Sequence, residues 1–124
     1  MTLELAQVAA RAAASKTDES TVLLEVGELL GITDHFIVTS GRNNRQMKSI
    51  VDEISRRLRE AAGTLERRIE GNDSGEWILL DYGDFVVHVF SETAREYYDL
   101  ERLWADAPRR DFDDELTPSA GQAR

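Results

Sequence analysis

The sequence contains no cysteine. This absence excludes disulfide bonds, thiolate metal sites and cysteine nucleophiles, and it suits a reducing compartment such as the cytoplasm. No run of about 18 consecutive apolar residues is present, so we expect no membrane span. The segment Met1–Leu5 does not place a basic region before an apolar one, so it does not resemble a secretory signal. We therefore expect a cytoplasmic protein.

Basic residues are in deficit, with 15 Lys and Arg against 24 Asp and Glu and a net charge of -9. The deficit is uneven, because residues 42–68 hold eight basic and four acidic side chains, whereas residues 70–115 hold fourteen acidic and four basic ones. A uniformly acidic chain would repel nucleic acid, but a divided one can offer an acidic face to a basic protein and a basic helix to phosphate. Ordinary solvated surface is the alternative for both regions.

Residue patterns typical of catalysis or metal binding are also scarce. Ser40-Gly41-Arg42 links a strand to a helix N-terminus, where α/β folds bind phosphate, but it lacks a P-loop lysine, so a turn followed by a helix cap is the preferred interpretation. His35 and His88 belong to no ligand-spaced cluster, and we expect His35 in a loop. Asp81 and Asp84 flank a turn and could hold a divalent metal, although hydrogen bonding to the turn backbone is their usual role. We therefore expect a binding module rather than an enzyme, with no catalytic residue, cofactor or metal.

Apolar periodicity predicts one domain with elements in the order α-β-β-α-β-β-β-α. The elements are a helix at 3–15, strands at 21–26 and 36–39, a helix from about 45 to 62, a strand at 65–69, two hairpin strands within 75–90, and a helix at 93–104. The segment 27–31 is ambiguous, and the charged strand 65–69 is expected at a sheet edge. Because at least one hairpin is antiparallel, we predict an α/β fold with a mixed sheet flanked by helices. We assign residues 1–105 to this domain and residues 106–124 to an acidic, disordered tail.

Capping residues indicate where two helices begin and end. Asn43 or Asn44 can cap the central helix, and Gly63 fits its C-terminal stop. Its apolar stripe consists of Met47, Ile50, Val51, Ile54, Leu58 and Ala61. The segment Thr93–Glu96 has the pattern of a capping box, so we predict that the last helix begins at Thr93. Helical spacing then aligns Tyr97, Leu100 and Trp104 on one side, with Tyr98 at the edge of that side.

The stretch Gly75–Phe90 has the pattern of two apolar strands joined by a tight turn at Tyr82-Gly83. A two-residue loop there pairs Asp81 with Asp84, and it pairs Trp77 with His88 across the hairpin. Alternation places one apolar set on the core face: Ile78, Leu80, Phe85, Val87 and Val89. The other face carries Trp77, Leu79, Asp81, Asp84, Val86 and His88. This mixture is odd for a core and costly as bare surface, so we predict that a partner docks on it.

These residues also carry a family resemblance. The segment from Trp77 to Phe90, followed by the segment from Arg95 to Trp104, resembles the ribosomal silencing factor family, also called the Iojap family. The upstream segment Thr33–Gly41 and the helix from Arg45 to Leu58 fit the same pattern. The resemblance spans approximately Leu3 to Trp104 and does not include the residues after Ala105.

The resemblance implies a fold like that of the nucleotidyltransferases, in a family that is not known for catalysis. Asn43-Asn44 stands where the paired catalytic carboxylates of that fold would be sought. It implies a translational repressor that binds the fourteenth protein of the large ribosomal subunit and sterically blocks joining with the small subunit when nutrients are scarce. It also implies that homodimers are common.

Hairpin faces and resemblance together predict a set of partner-binding residues: Trp77, Leu79, Asp81, Tyr82, Asp84, Val86, His88, Tyr98, Glu101 and Trp104. The acidic members would meet Lys or Arg of a basic ribosomal protein. The basic helix Arg45–Arg59 could lie near ribosomal RNA. Two alternatives remain, namely a nucleotidyltransferase-like enzyme that uses Ser40-Gly41 with the paired aspartates, and a second copy of the chain that covers the mixed hairpin face.

Overall fold

The computed structural model describes residues 2–64, 66–71 and 75–112. Its elements are α1 (Thr2–Ala14), β1 (Val22–Glu25), α2 (Gly27–Leu30), β2 (His35–Gly41), α3 (Asn44–Ala62), β3 (Arg68–Glu70), β4 (Trp77–Asp81), β5 (Phe85–Ser91), α4 (Glu92–Tyr98) and α5 (Leu100–Leu103). The predicted order is present, with a short additional helix α2 and with the last helix divided in two. Among the described residues, no helix is long and apolar enough to cross a membrane.

The five strands form one mixed sheet in the order β1-β2-β5-β4-β3. β2 and β5 pair in parallel, and the other neighbours pair antiparallel. The predicted α/β fold with a mixed sheet is confirmed, and β3 lies at the edge where its charges place it. The expectation of a loop at His35 is wrong, because pairing with Phe85 extends β2 to His35.

The sheet buries apolar side chains on both faces. α1 and α3 cover one face, which we call the helical face, and its core includes Ile37, Ile78, Leu80, Val87 and Val89. The opposite face, which we call the outer face, buries Leu24, Phe36, Val38 and Phe90 against Ala94 of α4 and Leu100 of α5. The fold therefore has two unequal covers on one sheet, a complete helical layer and a short C-terminal one.

The local signals of α3 agree with the structure. Asn43 caps the helix, since its side-chain oxygen accepts a hydrogen bond from the Gln46 N–H at 2.8 Å. Gly63 ends the helix with a φ of 65°. The stripe is buried at Met47, Ile50, Ile54 and Leu58, whereas Ala61 in the last turn is exposed.

The β4–β5 hairpin has a different loop from the predicted one. The N–H of Tyr82 donates to the carbonyl of Phe85 at 3.0 Å, so these two residues face each other. The loop is therefore Gly83-Asp84 rather than Tyr82-Gly83. Gly83 has a φ of 88°, a conformation that glycine adopts without strain.

The predicted pairing across this hairpin is wrong by two residues, because Trp77 lies opposite Phe90 and not opposite His88. Side chains alternate with a period of two, so a shift of two leaves each side chain on its predicted face. The predicted core set is buried on the helical face: Ile78, Leu80, Phe85, Val87 and Val89.

The last helix begins and ends differently from the prediction. The Ser91 hydroxyl accepts a hydrogen bond from the Ala94 N–H at 3.1 Å, so Ser91 rather than Thr93 is the N-cap. Asp99 adopts a left-handed φ of 51°, which ends α4 and separates it from α5. Aspartate tolerates this conformation better than most residues, because its short polar side chain can hydrogen-bond locally.

Residues 106–112, which the sequence assigns to the tail, pack against the domain. The N–H of Glu25 donates to the carbonyl of Pro108, and the N–H of Arg110 donates to the carbonyl of Leu23, both at 2.8 Å. Ala107 is buried. This segment covers the free edge of β1, so the domain extends at least to residue 112. The rest of the predicted tail, residues 113–124, lies outside the described residues.

The two candidate caps of α4 can be separated by mutation. Ser91→Ala removes the acceptor of the Ala94 N–H and should lower the free energy of unfolding by about 1 kcal/mol. Thr93→Ala is the matched control and should change stability by less than about 0.5 kcal/mol, because Thr93 is exposed within α4. Urea unfolding measures both, and a larger loss at Thr93 would contradict the assignment of the cap.

Candidate functional site

The outer face of the sheet is only partly covered. α4 and α5 pack beside Phe36 and Phe90, whereas Leu79, Asp81 and Val86 remain half-exposed. Two side chains of the C-terminal layer border this opening and are also accessible, Tyr98 and Trp104. We define the docking patch as Trp77, Leu79, Asp81, Val86, Tyr98 and Trp104.

Trp77 lies at the centre of the aromatic contacts in the docking patch. Its indole Nε1 donates a hydrogen bond to Nδ1 of His88 at 3.2 Å. Its ring centroid lies 4.9 Å from that of Phe90 and 4.6 Å from that of Tyr98. A half-buried tryptophan with a fixed orientation is the kind of side chain that dominates protein interfaces.

His88 lies beneath this patch and was predicted to be a contact residue. It is 5% exposed, Phe36 meets it edge to face with ring centroids 4.6 Å apart, and Phe90 stacks on it with ring centroids 6.2 Å apart. Burial lowers the pKa of His88 to about 4. The imidazole is therefore neutral at pH 7 and keeps a lone pair on Nδ1 for the Trp77 N–H. His88 packs on Trp77 although the two residues do not lie directly opposite each other, but His88 itself offers almost no surface to a partner.

Asp81 and Asp84, the paired aspartates of the hairpin, have different environments. Asp81 accepts a hydrogen bond from the Gly83 N–H at 2.8 Å, which is the backbone role expected beside a turn, and its other oxygen lies 3.5 Å from Arg68. Asp84 is exposed at the tip of the loop. Within the described residues, no group of three potential metal ligands converges.

Tyr82 was also predicted to contact a partner, but its ring belongs to the core. It is 7% exposed and stacks on Phe85 with ring centroids 5.0 Å apart. Its hydroxyl lies 3.2 Å from a carboxylate oxygen of Glu66, and burial raises the pKa of Tyr82. The shifted loop explains this difference, because Tyr82 becomes a strand-pairing residue that faces the helices.

In the C-terminal layer, not every predicted partner-binding side chain is available, and two exposed side chains were not predicted. Tyr98 is 46% exposed against Trp77, and Trp104 is half-buried against Phe36 with ring centroids 5.7 Å apart. Glu101 accepts two hydrogen bonds from the Arg95 guanidinium, at 3.1 and 3.0 Å, so its charge is already compensated. The exposed residues that were not predicted are Tyr97, at 80%, and Leu103, at 70%.

Comparisons with known proteins identify the family. A model of the family described as "Ribosomal silencing factor during starvation" matches residues 1–124. The chain belongs to the ribosomal silencing factor family. A relative from Halalkalibacterium halodurans, named ribosomal silencing factor RsfS, is 38% identical over 105 residues, which cover 85% of this chain and 89% of that protein.

Two further relatives are a bacterial protein of known structure and a mouse protein. A crystal structure from Chromobacterium violaceum is 36% identical, covers 85% of this chain and 87% of that one, and superposes with a TM-score of 0.76. A mouse protein named mitochondrial assembly of ribosomal large subunit protein 1 is 29% identical over 102 residues, which are 81% of this chain and 43% of that protein. The family is named for silencing and not for a reaction.

In this member of the family, protein side chains fill the Ser40-Gly41 turn. The Ser40 hydroxyl donates to Glu19, and the Arg95 guanidinium donates to the Ser40 hydroxyl at 2.9 Å. A Cβ atom on Gly41 would lie 3.1 Å from the backbone nitrogen of Met47, so helix and turn are tightly packed. The occupied hydroxyl and the close packing argue against a phosphate site at this turn.

The basic side chains of α3 belong to the helical layer and not to the docking patch. Arg56 and Arg57 both pair with Glu53 at 2.7 Å, and these two arginines hold the pKa of Glu53 at about 2. Three basic residues of α3 are exposed and form no ion pair within the described part of the chain: Arg45, Lys48 and Arg59. These three are the side chains left for an anionic partner.

The burial of neutral His88 should make stability pH-dependent. The pKa is about 4 in the folded state and near 6.5 in the unfolded state, so on acidification the unfolded state takes up the proton first. The His88 contribution is fully present above pH 6.5 and should fall by about 2–3 kcal/mol as the pH drops to 4.5. Urea unfolding of the parent and of His88→Phe at pH 7.5 and 4.5 measures this difference.

The His88→Phe variant keeps His35 and all carboxylates, so their contributions cancel in the comparison. The variant should lose less stability than the parent between the two pH values. Equal losses in the two proteins would show that His88 is protonated in the folded state at pH 4.5.

Proposed function

We propose that this chain represses translation by binding the large ribosomal subunit and blocking its joining with the small subunit. The observation that carries the proposal is the docking patch, an aromatic surface left open on one face of the sheet in a member of the ribosomal silencing factor family. The name of the mouse relative refers to assembly of the large subunit, which supports this choice of subunit. A protein with this role works where ribosomes are, which we propose is the cytoplasm.

The proposed partner on the subunit is its fourteenth protein, as the family resemblance implies. Carboxylates in and beside the patch support a basic partner, because Asp84 at the adjoining tip of the hairpin is exposed and Asp81 is only partly compensated by Arg68 at 3.5 Å. Carboxylates in such positions speed encounter with a basic protein and fix its register. Trp77 and Leu79 would provide the buried apolar contacts that slow dissociation.

Blocking would follow from the layered shape of the bound protein. Docking through the outer face turns the helical face away from the subunit, because α1 and α3 lie on the opposite side of the sheet. A helix with its side chains is about 10 Å thick. The bound chain would therefore raise a sheet and a helical layer above the subunit surface, and this layer would exclude the small subunit without any chemical step.

Contact with ribosomal RNA is a second part of the proposal. The exposed basic residues Arg45, Lys48 and Arg59 belong to the helical layer, so they would not lie under the docked patch. They would reach RNA only where it rises beside the bound chain. This RNA contact would add to affinity through counterion release.

A homodimer is a third part of the proposal. Without a ribosome, a second copy could cover the docking patch, where Tyr98 and its neighbour Tyr97 leave large apolar surfaces in water. Such a dimer would have to open before the patch could bind a subunit.

The acidic character of the patch can be tested with a matched pair of variants. Asp84→Arg reverses a charge at the hairpin tip and should weaken binding to purified large subunits at least tenfold, since it places like charges against a basic partner. Asp52→Arg makes the same change at an exposed position of α3, on the other side of the sheet and beside Lys48, and should bind at least as tightly as the parent does. Co-sedimentation measures both affinities. If Asp84→Arg binds like the parent, the docking patch is not the ribosome-binding surface.

The RNA contact predicts a change in salt dependence. The variant with Arg45, Lys48 and Arg59 all changed to Gln should show a shallower fall of affinity with salt, with the slope of log K against log salt reduced by about one for each lost phosphate contact. Co-sedimentation across a series of KCl concentrations gives the slope. An unchanged slope would show that these three residues do not contact RNA. It would not affect the proposal that the docking patch binds the subunit.

A further inference from the structure

A cavity of about 620 Å³ lies where β1 ends and β2 begins, and none of its lining residues belongs to the docking patch. Its walls carry one histidine, His35, two apolar side chains, Leu29 and Pro108, and four carboxylates: Glu25, Glu28, Asp34 and Asp106. The volume is in the range of small-molecule sites.

The carboxylates of this cavity are mostly uncompensated. Glu25 pairs with Arg110 at 3.0 Å. The other three, Glu28, Asp34 and Asp106, form neither an ion pair nor a side-chain hydrogen bond within the described residues. Because several like charges surround one concave site, their potentials add and attract a positively charged guest.

His35 provides a second, independent indication of a missing partner. Its side chain is 7% exposed, and within the described residues neither ring nitrogen makes a hydrogen bond. The contact nearest to one is with Glu25, whose carboxylate oxygen lies 3.9 Å from Nε2. Burial lowers the pKa of His35, against the opposing effect of Glu25 and Asp34. A buried polar group without a partner is destabilising, and native proteins almost always supply one.

The geometry of the cavity argues for an organic cation over a metal ion. Within the described residues, no three His, Asp or Glu side chains converge as metal ligands would. An ammonium or guanidinium group is less demanding, since it donates several hydrogen bonds to acceptors spread around a larger space. Leu29 and Pro108 add an apolar wall of the kind that an alkyl stem packs against.

We propose that this cavity binds an ammonium or guanidinium group on an alkyl stem, with Glu28, Asp34 and Asp106 around the charge and the His35 ring in the wall beside them. Such a group is present in free polyamines and in the lysine and arginine side chains of proteins. The proposal concerns the isolated chain and does not depend on ribosome binding.

The test uses the two histidines of the sequence as reporters. The full-length protein is titrated with spermidine and, separately, with N-acetyl-arginine methylamide, while the imidazole proton signals are followed by NMR. His35 lines the cavity and should shift with saturation, whereas His88 is buried on the outer face and should not move. The variant His88→Phe assigns the two signals.

Charge removal at the cavity supplies the matched comparison. The double variant Glu28→Gln, Asp34→Asn should lower the affinity measured from the saturable His35 shift at least fivefold. The single variant Asp106→Asn should also lower it. Asp52→Asn, an exposed carboxylate on α3, should leave it unchanged. All these positions are exposed, and circular dichroism verifies that each variant is folded.

Each outcome of the titration decides a point. Saturation by spermidine and not by the arginine derivative identifies a free polyamine as the source of the cation, and the reverse identifies a side chain of a protein. If neither probe moves His35, or if the double variant binds as tightly as the parent, the cavity is not a cation site.

Discussion

The fold depends on one constraint, which is that β5 must bury both of its faces. β5 lies in the middle of the sheet, with Val87 and Val89 facing α1 and α3. His88 and Phe90 face the other way, and both are also buried. α4 and α5 supply the cover for Phe90, but this cover is two short helices separated at Asp99. The docking patch is the part of the outer face that these helices leave uncovered, so it borders the apolar core on that face.

Polar contacts, in addition to apolar packing, hold α4 and α5 on the outer face of the sheet. Arg95 of α4 donates to the Ser20 carbonyl, to the Ser40 hydroxyl and to both oxygens of Glu101. These bonds tie the C-terminal layer to the end of β2. The turn that the sequence presents as a possible phosphate site therefore has a mechanical role in this structure, because it anchors the helices that carry Tyr98 and Trp104.

Much of the fold could be predicted because its signals are local and periodic. The stripe and caps of α3 lie within one helix, and the alternation of β4 and β5 places their side chains on the correct faces even though the loop was displaced by one residue. A displacement of the loop by one residue moves the register by two, which preserves the faces. The error changes the role of two residues, since Tyr82 moves from the loop to the core and Asp84 moves from a paired position into the loop.

The remaining errors at the site have other causes. Asp99 breaks the last helix, so Tyr97 and Leu100 do not share one helical side as their spacing predicts. Tyr97 is exposed to solvent, whereas Leu100 is buried. His88 is buried because Phe36, from β2, closes over it. This burial changes how the patch would bind: Trp77 is held by the His88 hydrogen bond before any partner arrives, so less side-chain freedom remains to be lost on association. A histidine that contacts no partner can in this way strengthen binding through the tryptophan above it.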